Sequence, residues 1–325
     1  MRALFYGAGV QGSIYGAILS EAGHDVSFLA RGERALQLRS DGLTLCGVLG
    51  DRNIRIARPN IVQSLEPRDD YDVCFVTVRG DQVDAILPTL AHSGVSRVVF
   101  MHNHADGSEA LVRSVGAQRA VVAFPGAGGS ISQDGVVRYA IIPEQSTMIG
   151  RSPGCRNAAA FVVRAFGAVG LRLSVVMDAD DWLRRHAVLV GAASGALWEY
   201  GCDPQRLVKS RRGIRDFVDA VREGYIALDA ARVASEPLAL RAIFRWVPLP
   251  FSAAYWRRYL SGIHGETIFA AHARHAPAEM AMIAAQVTAI MRRTDVQTPT
   301  FDQLRHSIPA TVCDQALRLA DVQCQ

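Results

Sequence analysis

The chain has 325 residues, of which 50% are hydrophobic and 20% are charged, and its formal net charge is +4. This length suits two domains, and the small net charge argues against a nucleic-acid surface. Six cysteines lie far apart without a CxxC pair, which argues against a zinc site and favours reduced thiols in the cytoplasm. No apolar run is long enough to cross a membrane. Lys209 is the single lysine among 35 basic residues, so a mechanism that needs a titratable lysine must use it.

The chain begins with a strand, a glycine turn and a helix. Apolar residues 3–6 precede the segment GAGVQG, and a helical pattern covers 13–22 before the next strand, HDVSFLA. In a dinucleotide-binding unit the first glycine permits a tight turn, the second lets the pyrophosphate approach, and the third packs helix against strand. The pattern therefore predicts a dinucleotide site with cofactor contacts from Gly7, Gly9, Val10, Gln11 and Gly12.

The second strand ends at Arg31, followed by Gly32-Glu33-Arg34. An enzyme that uses NAD usually places an acid here to bind the ribose 2′-hydroxyl. A guanidinium instead suits the 2′-phosphate of NADP. We therefore predict NADPH as the cofactor. The alternative is that Glu33 turns inward and Arg31 is a solvated charge.

Short apolar runs separated by helical patterns continue through the first half of the chain: LTLCGV, NIRIA, YDVCFVTV, RVVFMHN and AVVAFPG. With helical patterns at 82–90 and 107–115, they predict a doubly wound, mostly parallel Rossmann-type α/β domain over residues 1–177. Ligands bind beyond the carboxyl ends of such strands, which places Arg79, Asn103 and His104 in the crevice. DGVVRYAIIPEQSTMIG is typical of a strand pair that closes the domain.

From residue 178 onward the strand pattern stops and helical periodicity takes over, as at 217–234 and 279–291. We therefore predict an all-helical second domain over residues 178–325, for substrate binding and dimerisation. The segment WVPLPF at 246–251 is interpreted as a break between helices.

Taken together, these motifs resemble the ketopantoate reductase family, whose members use NADPH to reduce 2-dehydropantoate to pantoate. The resemblance rests on GAGVQG, on LAR closing the second strand, on VTVRGDQV where the family has V-T-x-K, on MHN where it has H-N-G, on Trp182 and Trp198 framing a helix, and on QTPTFDQL. It implies that Arg79 lies near the cofactor and that Asn103 lies beside the nicotinamide. It also leaves a homodimer open.

The sequence departs from the family pattern at several positions. Arg79 replaces the lysine of V-T-x-K, and Arg184 stands where the resemblance places the proton-donating lysine. Val188 and Ala192 fall where substrate-binding asparagines are expected, and the family's acidic residue maps near Leu260. The residues expected to bind the cofactor therefore match the family pattern, whereas most of those expected to bind the substrate differ from it.

A different proton donor is therefore required. The pKa of arginine stays above about 12, so Arg184 could hold a substrate carboxylate but could not donate the proton. His186 lies two residues further along, and the ordinary histidine pKa of about 6.5 suits proton transfer at neutral pH. We predict His186 as the acid, Arg184 as the carboxylate anchor and Asn103 as a hydrogen-bonding group.

A second cluster of polar residues lies in HGETIFAAHARHAPAEM. We predict that His272 and Glu279 contact the substrate, together with His104. A metal site is the alternative, but HExxH is absent, so we predict no metal.

These observations favour an NADPH-dependent reductase of a small oxo acid or related carbonyl or imine, with an anionic substrate other than ketopantoate. An opine-type or imine reductase of the same superfamily is one alternative, in which His186 would pair with Asp181 or Asp180. A protein that senses NADPH without catalysis is the other, because it would tolerate loss of the catalytic residues.

Overall fold

The computed structural model describes residues 1–234 and 238–309. The distant cysteines Cys313 and Cys324 lie outside these residues. Packing divides the chain into two compact units: Met1–His102 with Gly107–Ala179, and Asn103–Asp106 with the chain from Asp180 onward. The boundary expected from the sequence lay between residues 177 and 178, and the short loop 103–106 was not expected in the second unit.

The first unit is built on two sheets. The large sheet has the order β12-β11-β8-β7-β6-β1-β2-β5, and the small sheet has the order β4-β3-β10-β9. The strands are β1 (Arg2–Tyr6), β2 (Asp25–Leu29), β3 (Leu43–Gly47), β4 (Ile54–Ile56), β5 (Asn60–Val62), β6 (Val73–Val76), β7 (Val98–Met101), β8 (Ala120–Phe124), β9 (Ala127–Ile131), β10 (Val137–Ile141), β11 (Thr147–Gly150) and β12 (Leu173–Val176). Every pairing in the large sheet is parallel except that of β8 with β11.

Helices cover both faces of the large sheet. They are α1 (Val10–Glu21), α2 (Gly32–Asp41), α3 (Leu87–His92), α4 (Glu109–Val115) and α5 (Arg156–Ala168). Phe5 and Phe75 join a core with residues of α1 and α5. The intervening Leu4 and Cys74 join a separate core with residues of α3 and α4. This alternation, which follows from the period of two along a strand, confirms the doubly wound Rossmann-type sheet.

Two details of the sequence-based prediction were wrong. LTLCGV, NIRIA and the first half of DGVVRYAIIPEQSTMIG do not join the large sheet, because β3, β4 and β10 form the small sheet with β9. The expected helix at 82–90 is broken into short 3-10 turns at Gly80–Gln82 and Asp84–Ile86, before α3. Pro88, in the first turn of α3, favours a helix that starts there.

The second unit is helical, as predicted: its described residues from 180 to 309, apart from the gap at 235–237, contain no strand. Its helices are α6 (Ala179–Glu199), α7 (Pro204–Lys209), α8 (Arg211–Ala230), α9 (Leu238–Arg245), α10 (Leu249–Ser261), α11 (Ala271–His275), α12 (Pro277–Met291) and α13 (Pro299–His306). A π-helical segment, Gly265–Ala270, leads directly into α11. The proline-rich segment 246–251 holds the break between α9 and α10. Within the described residues, no helix is both long and apolar enough to span a bilayer.

Candidate functional site

The glycine turn joins β1 to α1 in the first unit. Gly7 has a φ of +113°, and an added Cβ would lie 3.1 Å from the backbone nitrogen of Val78. At Gly12 an added Cβ would lie 1.9 Å from the carbonyl oxygen of Gly7. The turn can therefore form only if residue 12 has no side chain. At Gly9 an added Cβ would meet nothing within 4 Å. The turn is therefore tight on its protein side and open above Gly9.

The open side of this turn has the features of an anion site. The first backbone N–H groups of a helix have no acceptor within it, and they carry the positive end of the helix dipole. Here α1 begins at Val10, no acidic residue lies in its first turn, and its N-cap Gly9 provides no side-chain acceptor. The Gln11 side chain donates to the carbonyl of Ala127 at 2.9 Å, so Gln11 would reach a ligand through its backbone. These residues fit the pyrophosphate of a dinucleotide.

Two arginines flank the glycine turn. In the sheet, β1 lies between β2 and β6, and all three strands are parallel. Arg31 follows β2 and Arg79 follows β6, so both lie at the same sheet edge as the turn. Arg31 is exposed, and its Nε donates to the carbonyl of Gln63 at 3.1 Å. Burial raises the pKa of the Tyr6 phenol, and the charge of Arg31 beside it opposes that rise.

The two flanking arginines differ in how they are held. Arg79 forms a two-bond pair with Asp81, at 3.1 and 3.4 Å, which partly neutralises its charge. Arg31 has no carboxylate partner among residues 1–234 and 238–309. Arg31 is therefore the better placed of the two to bind an added phosphate. Glu33, the acid of the alternative interpretation, is exposed in the first turn of α2.

Arg34 also contacts the glycine turn, although it was not selected as a site residue from the sequence. It lies in the first turn of α2, and its guanidinium donates to the Ala8 carbonyl at 2.9 Å, the Ser13 hydroxyl at 3.1 Å and the Gly135 carbonyl at 3.1 Å. Ala8 and Ser13 belong to the glycine turn and to α1. Burial lowers the pKa of this guanidinium, which still stays charged at neutral pH. The position of Arg34 in the first turn of α2, three residues after the N-cap residue Arg31, was the available signal.

Asn103 and His104 follow β7, as the sequence indicated, but they pack with the second unit. Both are buried. His104 Nε2 lies 3.8 Å from a carboxylate oxygen of Asp180 at the start of α6. The next residue, Ala105, receives a hydrogen bond on its carbonyl from Arg184 Nε at 3.3 Å.

Arg184 is held within the second unit by its neighbours. It donates to Asp181 one turn earlier at 2.7 Å, and the other oxygen of Asp181 accepts the backbone N–H of Ala234 at 2.6 Å. Its side chain remains 26% exposed. A cavity of about 790 Å³ beside it is lined by Asp106, Arg184, Gln286, Arg293, Thr294 and Asp295, with apolar residues of α8 and α12. The arginine therefore contributes positive charge to a cavity of small-molecule size.

His186 does not have the ordinary pKa that its predicted role assumed. Its ring stacks on that of Trp182, with centroids 5.1 Å apart and planes 11° apart. Burial and, to a lesser extent, the charge of the nearby His272 together lower its pKa to about 3. A ring with this pKa is neutral at neutral pH, which argues against the prediction that His186 is the general acid.

His272 and Glu279 are brought together as a pair. His272 Nε2 lies 2.9 Å from a carboxylate oxygen of Glu279, across the junction of α11 and α12. The Glu279 side chain is 4% exposed and that of His272 is 40% exposed. The preceding segment Gly265–Ala270 is π-helical, a rare conformation that occurs frequently at functional sites. The charge of His272 contributes to the lowered pKa of His186, so His186 lies within electrostatic range of this pair.

The metal interpretation of this segment finds no support in the described residues, which contain no group of three or more His, Cys, Asp or Glu side chains able to hold an ion. His275, which also belongs to the sequence cluster, bonds through Nδ1 to the Ala271 carbonyl of its own helix at 2.7 Å. Glu266 pairs with Arg274. The polar residues of the segment are thus divided among separate partners.

Comparison with known proteins identifies the first part of the chain. A family model described as ketopantoate reductase PanE/ApbA matches residues 4–154. That part of the chain is similar to the ketopantoate reductase family. A 2-dehydropantoate 2-reductase of Archaeoglobus fulgidus is 27% identical over 192 residues, which are 59% of this chain and 61% of the relative. The match spans less than two thirds of that relative. Both comparisons confirm the resemblance to the ketopantoate reductase family that the sequence motifs indicated.

Solved structures of two oxidoreductases share the fold over almost the whole chain. The 2-dehydropantoate 2-reductase of Geobacter metallireducens has a TM-score of 0.76 at 16% identity, with 97% of this chain and 100% of that chain covered. A D-mandelate dehydrogenase in a ternary structure with NADH and anilino(oxo)acetate has a TM-score of 0.73 at 16% identity, with 95% and 97% covered. These likenesses confirm the predicted fold class.

Proposed function

We propose that the protein is an NADPH-dependent reductase of a small 2-oxo acid or a related carbonyl compound. The observation that carries the proposal is the open glycine turn between Arg31 and Arg79, within the residues 4–154 that match the family. The turn and the start of α1 would hold the pyrophosphate. When bound, the cofactor supplies a hydride, and the protein contributes binding, orientation and a proton.

The preference for NADPH rests on Arg31. It is exposed at the end of β2, beside the edge that carries the glycine turn, and it lacks a carboxylate partner in the described parts of the chain. A guanidinium binds a phosphate through parallel N–H donors, whereas the ribose 2′-hydroxyl of NADH offers no negative charge to it. NADPH should therefore bind more tightly than NADH.

An anionic substrate is supported by the second unit. Arg184 and Arg293 both line the cavity of about 790 Å³, and Gln286 adds a polar group whose side-chain oxygen accepts the N–H of Ala105 at 2.9 Å. Arg184 would bind the substrate carboxylate. Because Val188 and Ala192, which replace the family's asparagines, are both buried and apolar, the preferred substrate would be one other than ketopantoate.

A second candidate function is favoured by one of the solved structures. The D-mandelate dehydrogenase with the same fold was solved with NADH and an oxo acid derivative. A protein of this fold can therefore carry a cofactor without the 2′-phosphate. The corresponding activity here would be an NADH-linked dehydrogenase of 2-hydroxy acids.

One experiment separates these functions. The loss of NADPH absorbance would be followed with ketopantoate and a panel of 2-oxo acids, with and without amines, and with NADH as the parallel cofactor. We expect turnover with NADPH and an oxo acid other than ketopantoate. Faster turnover with NADH would support the second candidate, and a requirement for an amine would indicate an imine reductase. Tight NADPH binding without any turnover would contradict both functions and indicate a sensor.

A further inference from the structure

One carboxylate lies next to a candidate cofactor ligand at the edge of the large sheet. The Asp81 side chain accepts hydrogen bonds from Nε and Nη2 of Arg79, at 3.1 and 3.4 Å. We infer that Asp81 limits the preference for NADPH over NADH, because it competes with the 2′-phosphate of NADPH for the guanidinium of Arg79. The inference rests on the proposed cofactor site and adds to it a residue that weakens NADPH binding.

Arg79 follows a segment that packs directly on the glycine turn. The Thr77 hydroxyl donates to the Gly7 carbonyl at 2.8 Å. The backbone nitrogen of Val78 lies 3.1 Å from the position that a Cβ on Gly7 would occupy. Arg79 is the next residue along the chain. Its side chain therefore starts one residue beyond the contact with the turn that is proposed to hold the pyrophosphate.

Arg31 reaches the same sheet edge from the other side of β1. Tyr6 ends β1 and pairs with Leu29 of β2 and with Val76 of β6. The Arg31 side chain interacts with the Tyr6 phenol, so it turns towards β1. Neighbouring strands are about 4.8 Å apart, so the ends of β2 and β6 are separated by about 10 Å. A phosphate between these ends is within the combined reach of the two arginine side chains.

The pair of Arg79 and Asp81 can be exchanged for a phosphate. The Arg79 side chain is 45% exposed and that of Asp81 is 24% exposed. Exposed ion pairs are weak, because water screens both charges. A phosphate carries up to two negative charges and three acceptor oxygens, so it attracts a guanidinium more strongly than one carboxylate does. Arg79 should therefore leave Asp81 when NADPH binds, and the affinity is lowered by the free energy of the broken pair.

The effect should be selective for the cofactor with the additional phosphate. NADH has a hydroxyl group at the ribose 2′ position, which offers no negative charge to Arg79, so the pair with Asp81 stays intact. The Asp81 carboxylate bonds to no other group among residues 1–234 and 238–309. Removing it should therefore act on Arg79 and leave the rest of the fold unchanged.

The test measures the binding of two pairs of ligands to Asp81→Asn. NADPH and NADH are titrated by fluorescence, and adenosine 2′,5′-bisphosphate and AMP, which differ in the 2′-phosphate, are used as competitors. We expect Asp81→Asn to bind NADPH and the bisphosphate about 3- to 10-fold more tightly, with NADH and AMP changed by less than about twofold. The gain should decrease at high ionic strength, because salt screens the exposed charges.

Two variants control for charge and for folding. Asp84→Asn removes the same charge from the next 3-10 turn, Asp84–Ile86, and should bind both cofactors as the wild type does. Asp81→Glu keeps a carboxylate near Arg79 and should also retain the wild-type affinities. All three variants should unfold at the urea concentration of the wild type, because the exposed pair contributes little to stability.

A double variant tests whether Asp81 acts through Arg79. We expect Arg79→Gln to weaken NADPH binding, and Asp81→Asn added to Arg79→Gln to change it by less than about twofold. If Asp81→Asn gives the same gain with and without Arg79, the carboxylate repels the phosphate directly and the inference is wrong.

The outcomes separate this inference from the proposed function. A wild type that binds neither cofactor refutes both. A wild type that binds NADPH while Asp81→Asn leaves the ratio of the two affinities unchanged refutes the inference alone. A wild type that prefers NADH refutes the proposed cofactor, whereas the inference still requires Asp81→Asn to shift the preference towards NADPH.

Discussion

Trp182 and His186 stack one helical turn apart on α6, with their ring planes 11° from parallel. The contact belongs to the buried side of the helix, and burial there lowers the pKa of His186 to about 3. An unfolded chain exposes the same imidazole to water, where its pKa returns to about 6.5. The stacked ring should therefore make the folded protein less stable in acid, and it is not suited to donate a proton to a substrate.

The free energy of unfolding should decrease as the solution becomes more acidic, because His186 is held neutral in the folded chain. Between pH 6.5 and pH 3 the unfolded chain binds one more proton at His186 than the folded chain, so the free energy of unfolding falls by up to about 1.4 kcal/mol per pH unit. His186→Phe should retain the stack and reduce this acid dependence. Urea unfolding at pH 7, 6 and 5 measures it, with the exposed His92→Gln as control. An unchanged slope in His186→Phe would show that other groups cause the acid sensitivity.

Arg31 should determine the choice between the two nicotinamide cofactors. Arg31→Ala removes an exposed guanidinium that donates to the Gln63 carbonyl and interacts with the Tyr6 phenol. We expect NADPH affinity to fall about 10- to 100-fold, equivalent to about 1.4 to 2.8 kcal/mol, with NADH affinity nearly constant. Fluorescence titration measures both. Arg39→Ala, which removes an exposed arginine of the following helix α2, is the control, and an equal loss for both cofactors would assign Arg31 a different role.

Replacing Arg34 should mainly lower the stability of the fold, with a smaller effect on cofactor binding. Arg34→Leu would leave the carbonyls of Ala8 and Gly135 and the hydroxyl of Ser13 without their donor. We expect a loss of about 2 to 4 kcal/mol in the free energy of unfolding, measured with denaturant. Arg34→Lys should restore only part of it, because an ammonium lacks the fork of donors. Full stability in Arg34→Leu would mean that water replaces the guanidinium.

Gly9 and Gly12 form a matched pair of substitutions. Gly12→Ala places a methyl group 1.9 Å from the Gly7 carbonyl oxygen, so the turn must open and both stability and cofactor affinity should fall. Gly9→Ala meets no atom within 4 Å, so stability should be nearly unchanged. Its methyl group would occupy the space of the pyrophosphate, and NADPH affinity should fall at least 10-fold. Normal NADPH binding by Gly9→Ala would place the cofactor elsewhere.

Local sequence was sufficient for the elements that position the cofactor. The strand, the glycine turn and the helix follow one another directly in the sequence. The apolar runs of β1, β2, β6, β7 and β8 fit a buried strand and show no helical periodicity. It was not sufficient for the small sheet. β3 and β10 are separated by about ninety residues in the sequence, and nothing in LTLCGV distinguishes a strand of one sheet from a strand of another.

The sequence was sufficient to select residues of the candidate site but not to assign their chemical roles. His186, His272 and Glu279 were all selected from the sequence, yet the division of roles among them depends on burial. The periodicity of α6 shows which residues share a face, whereas the pKa of His186 follows from its burial and from His272, which is far away in the sequence. Arg34 was missed for a similar reason, because its acceptors come from residues up to 101 positions away.

The single lysine of the chain gives the helical unit an unusual property. Lys209 is exposed where α7 ends, so a protease specific for lysine has one site in the whole sequence. The bond that it would cut leads into Ser210, whose backbone N–H bonds Leu207 and whose hydroxyl lies 2.8 Å from that of Tyr200. Cleavage requires this junction of α7 and α8 to open locally. The appearance of two fragments, 1–209 and 210–325, would therefore time that opening without any engineered label.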